Sequence, residues 1–302
     1  METQCLTTTT TQFMTYTFTD FLYDPETQSD VVQVTENQIV VSENVSYPCI
    51  DGIPVMLKKE LLEKQEAAAF FENFYQIAKE PWDYSERAAE LLRHDYVIEQ
   101  VANFSKLLGR KAIILDIGCS LGHITARLHP YAELLVGMDV SITAIRKARL
   151  RCTQAAGESN PYMFVVGSAT ELPFKSNFFD IVVASDGLHG WHLSDDLQAK
   201  AVKEIYRVMK PVSYAVFTDY LHPRLHPKIE PTLRNAPWQI ERTELLYDRL
   251  WYRFESLLKA SRRASWVQKA LASKSFALFL RSVAQKIGKS QSKHIAAIVH
   301  KK

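Results

Sequence analysis

Cysteine is scarce in this chain, and its four copies are badly placed for pairing. Cys5, Cys49, Cys119 and Cys152 show no C-x-x-C spacing, so neither a metal site nor a disulfide framework is expected and the thiols should be reduced. Long apolar runs are missing too; none approaches the roughly 20 residues that a membrane span needs. No Lys or Arg precedes the first apolar stretch, as a secretory signal would require, which leads to the expectation of a cytoplasmic protein without a transmembrane segment. Charge of one sign is absent at each end. Residues 1–57 hold eight acids and no Lys or Arg, whereas residues 256–302 hold eleven Lys or Arg and no acid, within a net charge of only +2. Such a basic end can meet phosphates, an anionic membrane or an acidic partner, or it can be a solvated helix face.

What is present suffices for a folded core. With 302 residues, 47% of them hydrophobic and 23% charged, the chain can bury one good core and carry appendages. Residues 1–16, with the Thr7–Thr11 run, are low in complexity and expected to fray. Short strands are expected from Phe18 to Leu57, in VVQV and QIVV around the turn-like Thr35-Glu36-Asn37. Apolar residues at three- and four-residue spacing predict helices over Ala67–Tyr75 and Ala88–Leu108, interrupted by Pro81. From Ala112 onward strands and helices alternate. Strands are predicted at Ala112–Leu115, Leu134–Met138, Tyr162–Val166, Phe179–Ala184 and Tyr214–Thr218. Helices are predicted from about Leu121, over Ser141–Cys152 with Ser141 as N-cap, and over Leu193–Met209 capped by Ser194 or Asp195. This order predicts an α/β fold with a doubly wound, mostly parallel sheet and a ligand at the carboxyl ends of its strands. Beyond Tyr220 the spacing predicts a long helix over Trp238–Leu258, a second helical region over Ser265–Ile287 and a closing strand over His294–His300; no clear sixth strand can be read.

The stretch Ala112–Arg127, AIILDIGCSLGHITAR, reads as a buried strand, a glycine turn and a helix start in immediate succession. Gly118 and Gly122 let the backbone turn tightly and leave room for a ligand, toward which the helix start aims its free N–H groups. The dinucleotide fingerprint G-x-G-x-x-G fails, because Ser120 and His123 stand where its second and third glycines would be. What remains is Asp116-x-Gly118-x-Ser120-x-Gly122. Asp139 follows 17 residues after Gly122 at the end of an apolar strand, placed to accept both hydrogen bonds of a ribose diol or to cap the Ser141 helix.

The Asp116–Gly122 pattern resembles motif I of the class I, Rossmann-like S-adenosylmethionine methyltransferases, acid-x-Gly-x-Gly-x-Gly, with Ser120 in place of the middle glycine. Gly167–Phe174, GSATELPF, resembles the G-D-A-x-x-L-P-F stretch of the type 11 methyltransferases; Ser168 replaces the aspartate that accepts from the adenine amine. Phe178–Val183 and Lys203–Pro211 match the later motifs, with Val212-Ser213 in place of the usual double glycine. Glu80–Tyr84, EPWDY, resembles the D-P-W-x-x-Y stretch of nodulation-type N-methyltransferases, which methylate an amino-sugar nitrogen. The segment SYPCIDGIPVML resembles the end of the zinc ribbon that heads some ribosomal-RNA guanine methyltransferases. Because the matching FLYDPE lacks cysteines, a metal-free β-hairpin unit is expected.

The resemblance implies S-adenosylmethionine as cofactor and S-adenosylhomocysteine as product, with Asp116, Gly118, Cys119, Gly122, Asp139, Val140, Ser168, Ala169, Thr170 and Asp186 as cofactor-binding residues. Candidates for a base that deprotonates the acceptor are His189 and His192, three apart after the fourth strand, together with Asp186; packing or capping is the alternative for each. Trp82, Tyr84, Trp191 and Tyr220 are the candidate substrate contacts. The expected organisation is an N-terminal β unit over 1–66, a methyltransferase core over 67–220, a helical lid over 221–290 and a closing strand over 291–302. Within that lid Trp266 and Phe276 are expected to close over substrate; the alternative is a basic amphipathic helix lying on anionic lipid. The resulting reading is methylation of a nitrogen or oxygen of a small-molecule metabolite. An RNA acceptor and a non-catalytic binding protein of the same fold remain as alternatives.

Overall fold

The central strand is made of six consecutive buried residues, Ala112–Ile117, as a parallel strand covered on both faces requires. The computed structural model describes residues 16–57, 66–78, 80–156, 161–189, 193–261 and 264–302. In chain order a short helix α1 (Phe18–Phe21) leads into β1 (Tyr23–Asp24), β2 (Ser29–Asp30), β3 (Gln33–Val34), β4 (Gln38–Ser42), β5 (Val45–Ile50) and β6 (Ile53–Pro54). Two helices follow, α2 (Glu66–Ile77) and α3 (Ala88–Leu108). The alternating part then comprises β7 (Ala112–Ile117), α4 (Thr125–Leu128), β8 (Ala132–Asp139), α5 (Ile142–Ala156), β9 (Tyr162–Val166), β10 (Phe179–Ser185), α6 (Asp195–Val208) and β11 (Met209–Tyr220). The chain ends with α7 (Ile229–Leu233), β12 (Gln239–Leu245), α8 (Arg249–Leu257), α9 (Ser265–Ala272), α10 (Lys274–Ile287) and β13 (His294–Lys301).

Seven strands form one sheet in the order β12-β13-β11-β10-β7-β8-β9. Pairing is parallel from β11 through β9, while β13 runs antiparallel to both β11 and β12. The mostly parallel, doubly wound α/β sheet is therefore as expected. The strand order reverses between β7 and β10, and a crevice at the carboxyl ends of these strands is the position where such sheets bind ligands.

Two expectations about where elements lie are corrected. Gln239–Leu245, read as part of a long helix, is the missing sixth strand, and only Arg249–Leu257 is helical there. The physical cause lies in β13, whose residues Ile295–Val299 are all buried and need a hydrogen-bonding neighbour on the side away from β11. Exposed Gln239, Glu241 and Arg242 on the outer strand give the sheet a polar edge. The second correction concerns the start of α4, which comes at Thr125 and not near Leu121. Gly118, Ser120 and Gly122 have φ of 68°, 50° and 74°, and this run of left-handed residues delays helical geometry by several positions.

The N-terminal strands do not stand apart from the sheet. β3–β6 form a four-stranded antiparallel sheet, and Val55 and Met56 pair with Val166 at the open edge of β9. Phe21, Ile39, Val41, Tyr47 and Cys49 share one apolar core with Leu115, Val136 and Met138. Cys49 is buried there as a free thiol. At the other end, Trp251, Tyr252, Val267, Leu271 and Ala277 of α8, α9 and α10 pack on Ala88, Ala89 and Leu92 of α3.

Packing within the sheet is tightest around Gly137 of β8. A Cβ built there would lie 2.7 Å from Phe164 Cε1 and 2.8 Å from Cδ1. Phe164 is buried and has little room to move. Gly137→Ala should therefore lower unfolding free energy by roughly 1–3 kcal/mol, the usual cost of overpacking; urea denaturation would measure it, and an unchanged midpoint would contradict the packing argument.

Candidate active site

The turn after β7 is built from inside outward. Asp116, near the end of the strand, points into the protein and accepts from Thr125 Oγ1 at 2.6 Å, fastening the start of α4 beneath the loop. A Cβ on Gly118 would stand 3.7 Å from Gly187 Cα, so the two strand ends approach closely. A Cβ on Gly122 would meet Ala148 at 3.1 Å and Cys152 Sγ at 3.2 Å, which requires glycine where the loop lies against α5. At the end of β8, Asp139 accepts from Ser120 N through one oxygen and from Ser141 N through the other, both at 3.0 Å. Burial pushes its carboxyl up to about 6 against the stabilising effect of those N–H groups.

Beside this turn lies a cavity of about 800 Å³. Its floor includes Gly118, Ser120, Asp139, Val140, Ser168, Ala169, Asp186 and His189, and its far wall Trp82, Tyr84, Arg87, Glu90 and Tyr220. α2 contributes Ala68, Phe71 and Tyr75. Polar contacts of two of its side chains hold that helix. Tyr75 OH donates to Ser120 Oγ at 2.8 Å, and Glu72 accepts from Ser141 Oγ at 2.6 Å and Thr143 Oγ1 at 2.5 Å, placing an anion at the N-terminus of α5.

On the cavity floor, His189 and Asp219 form a buried pair. Asp219 Oδ2 lies 2.9 Å from His189 Nδ1, and its Oδ1 accepts from the His189 backbone N–H at 3.0 Å. Burial opposes ionisation of Asp219, yet the imidazole and these backbone donors hold its carboxyl below the usual range. With Nδ1 engaged by a carboxylate, Nε2 of His189 is buried and has no hydrogen-bond partner among the described residues. Such an atom is available to a ligand as a proton acceptor.

Behind the far wall stands an ionic cluster. Arg93 donates to Glu90 Oε2 at 3.0 and 2.8 Å and to Ser185 Oγ, and pairs with Asp186 Oδ2 at 3.1 Å. Glu90 also accepts from Tyr252 OH at 2.6 Å, and Asp248 pairs with His294. Burial disfavours the imidazolium of His294, but Asp248 and Glu90 raise its pKa above the ordinary histidine value. Ligand-capable atoms of Glu90, Asp186 and His294 lie within 4.8 Å of one another; the Arg93 guanidinium, bonded to both carboxylates, supplies the positive charge at that point.

Most of the expected site residues come together in this cavity. Gly118, Asp139, Val140, Ser168, Ala169, Asp186, His189, Trp82, Tyr84 and Tyr220 line it. Asp116, Cys119, Gly122 and Thr170 do not line it, for local reasons. Asp116 turns inward to Thr125, Cys119 Sγ is buried against Gly137, Gly122 lies on α5, and Thr170 Oγ1 bonds Ser168 Oγ at 2.9 Å. Asp186 is already engaged, through Arg93 and through Tyr220 N at 2.7 Å. Trp191 and His192 lie outside the described residues. No described residue of 221–290 lines the cavity, so α2 covers it and the expected C-terminal lid does not. Trp266 is 61% exposed and Phe276 packs on Phe254. Tyr75, Arg87, Glu90 and Asp219 were not anticipated. Asp219 carries the same signal as Asp139, an acid closing an apolar strand.

A seven-stranded, mostly parallel sheet with a glycine turn and an acid at the end of the next strand defines a Rossmann-like ligand-binding protein. A methyltransferase-domain family model matches residues 115–217, and it is this part of the chain that is similar to the Rossmann-like methyltransferases. It is 32% identical over 147 residues to a demethylmenaquinone methyltransferase of Lactiplantibacillus plantarum, covering 48% of this chain and 58% of that protein. It is 33% identical over 110 residues to an uncharacterized methyltransferase, YcgJ, of Bacillus subtilis, covering 36% and 41%. The chain thus spans about half the length of the curated relatives it matches. Among solved structures, the N-methyltransferase NodS of Bradyrhizobium japonicum in complex with S-adenosylhomocysteine shares the fold at TM-score 0.52 and 15% identity, over 78% of this chain and 97% of that one. The magnesium protoporphyrin IX methyltransferase of Synechocystis with bound S-adenosylmethionine does so at TM-score 0.51 and 12% identity, over 78% and 98%.

The environment of Asp116 has a consequence for stability. Burial raises its carboxyl from the usual 3.8 to about 7, with Asp139 adding to the shift against the Thr125 bond. The folded chain therefore keeps a proton that the unfolded chain loses between about pH 4 and 7, and the stability attributable to this group falls as pH rises through that window. Asp116→Asn removes the titration. Relative to the wild type, its unfolding free energy should rise by roughly 2–4 kcal/mol between pH 4 and pH 8; parallel pH profiles of the two proteins in urea denaturation would contradict this.

Proposed function

We propose that this protein transfers a methyl group from S-adenosylmethionine to a nitrogen or oxygen atom of a small molecule. The observation that carries the reading is a single cavity, within the roughly 300–1,000 Å³ typical of small-molecule sites, lined both by Asp139 and by His189, whose Nε2 is free among the described residues. When bound, the cofactor would supply a methyl group activated on a sulfonium, to whose carbon an acceptor lone pair bonds in line as the C–S bond breaks and S-adenosylhomocysteine leaves.

The chain's own residues fit these tasks. Asp139 accepts from Ser120 N on one oxygen and Ser141 N on the other, and a ribose diol donating to its remaining acceptor capacity would favour the ionised form. Ser168 offers a hydroxyl where an adenine amine needs an acceptor, a weaker bond than a carboxylate would make. His189 takes the proton from an acceptor hydroxyl or ammonium on Nε2, and Asp219 stabilises the imidazolium that results. Phe71, Tyr75, Trp82 and Tyr84 keep water from the reacting atoms.

Two measurements test these roles. Asp139→Ala should weaken S-adenosylmethionine binding by roughly 1.5–3 kcal/mol, the scale of hydrogen bonds to a charged group, in isothermal titration; unchanged affinity in a folded variant removes the diol role. Once an acceptor is found by labelled-methyl transfer, His189→Gln and Asp219→Asn should lower kcat by roughly 10²–10⁴ while S-adenosylhomocysteine affinity stays within about twofold. Turnover undiminished in both variants would exclude a base at His189.

A further inference from the structure

The C-terminal helices present an apolar outer face that the cavity leaves unused. Of 14 large apolar side chains exposed among the described residues, five fall between residues 257 and 287: Leu257, Trp266, Leu278, Phe279 and Ile287. Single exposed apolar residues are ordinary; a concentration on neighbouring helices is not. The inner face of α10 is fully accounted for, since Ala277 and Ala284 are buried and Phe276 packs on Phe254 of α8. The outer row of α10, at helical spacing, reads Leu278, Phe279, Ser282, Lys286 and, past its end, Lys289, all exposed.

The charged residues that α9 and α10 themselves carry are all basic. Lys269, Lys286 and Lys289 are exposed and make no ion pair among the described residues, whereas Lys274 is occupied by Asp95 at 2.6 Å. Residues 256–302 contain no acid that could offset them. A second copy of this chain seated on the face would set lysine against lysine across a two-fold axis. An anionic bilayer takes both features, because apolar side chains enter the headgroup–acyl boundary while ammonium groups meet phosphates, and Trp favours that level. None of the described helices is long and apolar enough to cross a membrane, so contact of this kind would be with the surface.

We propose that α9 and α10 form a docking surface for an anionic lipid bilayer, with Trp266, Leu278 and Phe279 entering the interface and Lys269, Lys286 and Lys289 on the headgroup phosphates. α9 packs on the turn 84–86, which carries Tyr84 of the cavity wall. Docking therefore brings the cavity close to the membrane surface. The proposal stands on the surface alone and does not depend on the methyl-transfer reading.

The test uses the full chain and vesicles of phosphatidylcholine with and without phosphatidylglycerol. The protein should sediment with the anionic vesicles, bind the neutral ones much less, and be released as salt rises. Each lysine among the three changed to glutamine should lower partitioning about fivefold, the equivalent of about 1 kcal/mol per cation near the surface. Leu278→Ser with Phe279→Ser should lower it at least tenfold, with circular dichroism and thermal unfolding unchanged because both side chains are exposed. Brominated lipid should quench tryptophan fluorescence in the wild type and markedly less in Trp266→Phe. Absence of binding to anionic vesicles at low salt, or binding indifferent to these substitutions, overturns the proposal. So does light scattering that shows a dimer dissociated by Leu278→Ser with Phe279→Ser, since the face would then be a self-association surface.

Discussion

A single buried cation joins the parts of this protein. Arg93, 1% exposed, could not keep its charge in the interior unaided. Glu90 on its own helix and Asp186 after β10 neutralise it, and Ser185 and Thr218 accept its remaining N–H groups from the ends of β10 and β11. α3 is thereby fastened to two strands on one side of the point where the sheet reverses. Glu90 carries the connection outward, to Tyr252 of α8 by a hydrogen bond and toward His294 of β13 at 4.0 Å. Breaking such a pair by removing one partner typically costs about 3–5 kcal/mol, because the other charge is stranded. The far wall of the cavity and the attachment of the C-terminal helices thus rest on the same guanidinium.

Three aspartates at the carboxyl ends of strands show how neighbours assign different tasks to one residue type. Asp139 accepts backbone N–H groups, from Ser120 on one oxygen and Ser141 on the other with Val140 beside them, and lines the cavity. Asp219 gives both oxygens to His189 and so orients the imidazole. Asp186 is engaged by Arg93 and by Tyr220 N, which suits it to holding the wall in place. The distinction matters for chemistry, since both Asp186 oxygens are engaged whereas Nε2 of His189 has no partner among the described residues.

Periodicity identified the elements whose environment is local. The strand Tyr162–Val166 and the helix capped by Ser194 fall where their residues indicate, because burial on both faces and a hydroxyl at the N-cap leave a direct mark in the chain. Gln239–Leu245 escaped notice because its glutamates and arginine favour a helix in isolation, and only the unsatisfied edge of β13 makes it a strand. The cavity cover was misplaced for a related reason. AAAFFENFY on α2 has apolar residues on more than one face, and spacing alone does not say which face meets a ligand; Glu72 on the N-terminus of α5 and Tyr75 on Ser120 decide it.

By itself the sequence determined the alternating α/β order, the glycine turn after the first buried strand and the acid that closes the second, since each follows from backbone conformation or from burial of neighbouring residues. It also determined the charge asymmetry of the two ends, which needs no structure to be seen. The tertiary structure decided which side chains share a site. Glu90, Arg93, Asp219 and His294 are separated by as much as 204 positions in the chain and converge only because β10, β11, β13 and α3 end at one place. Spacing along a chain records local geometry; the meeting of charges from distant elements depends on packing, where desolvation makes each buried charge demand a partner.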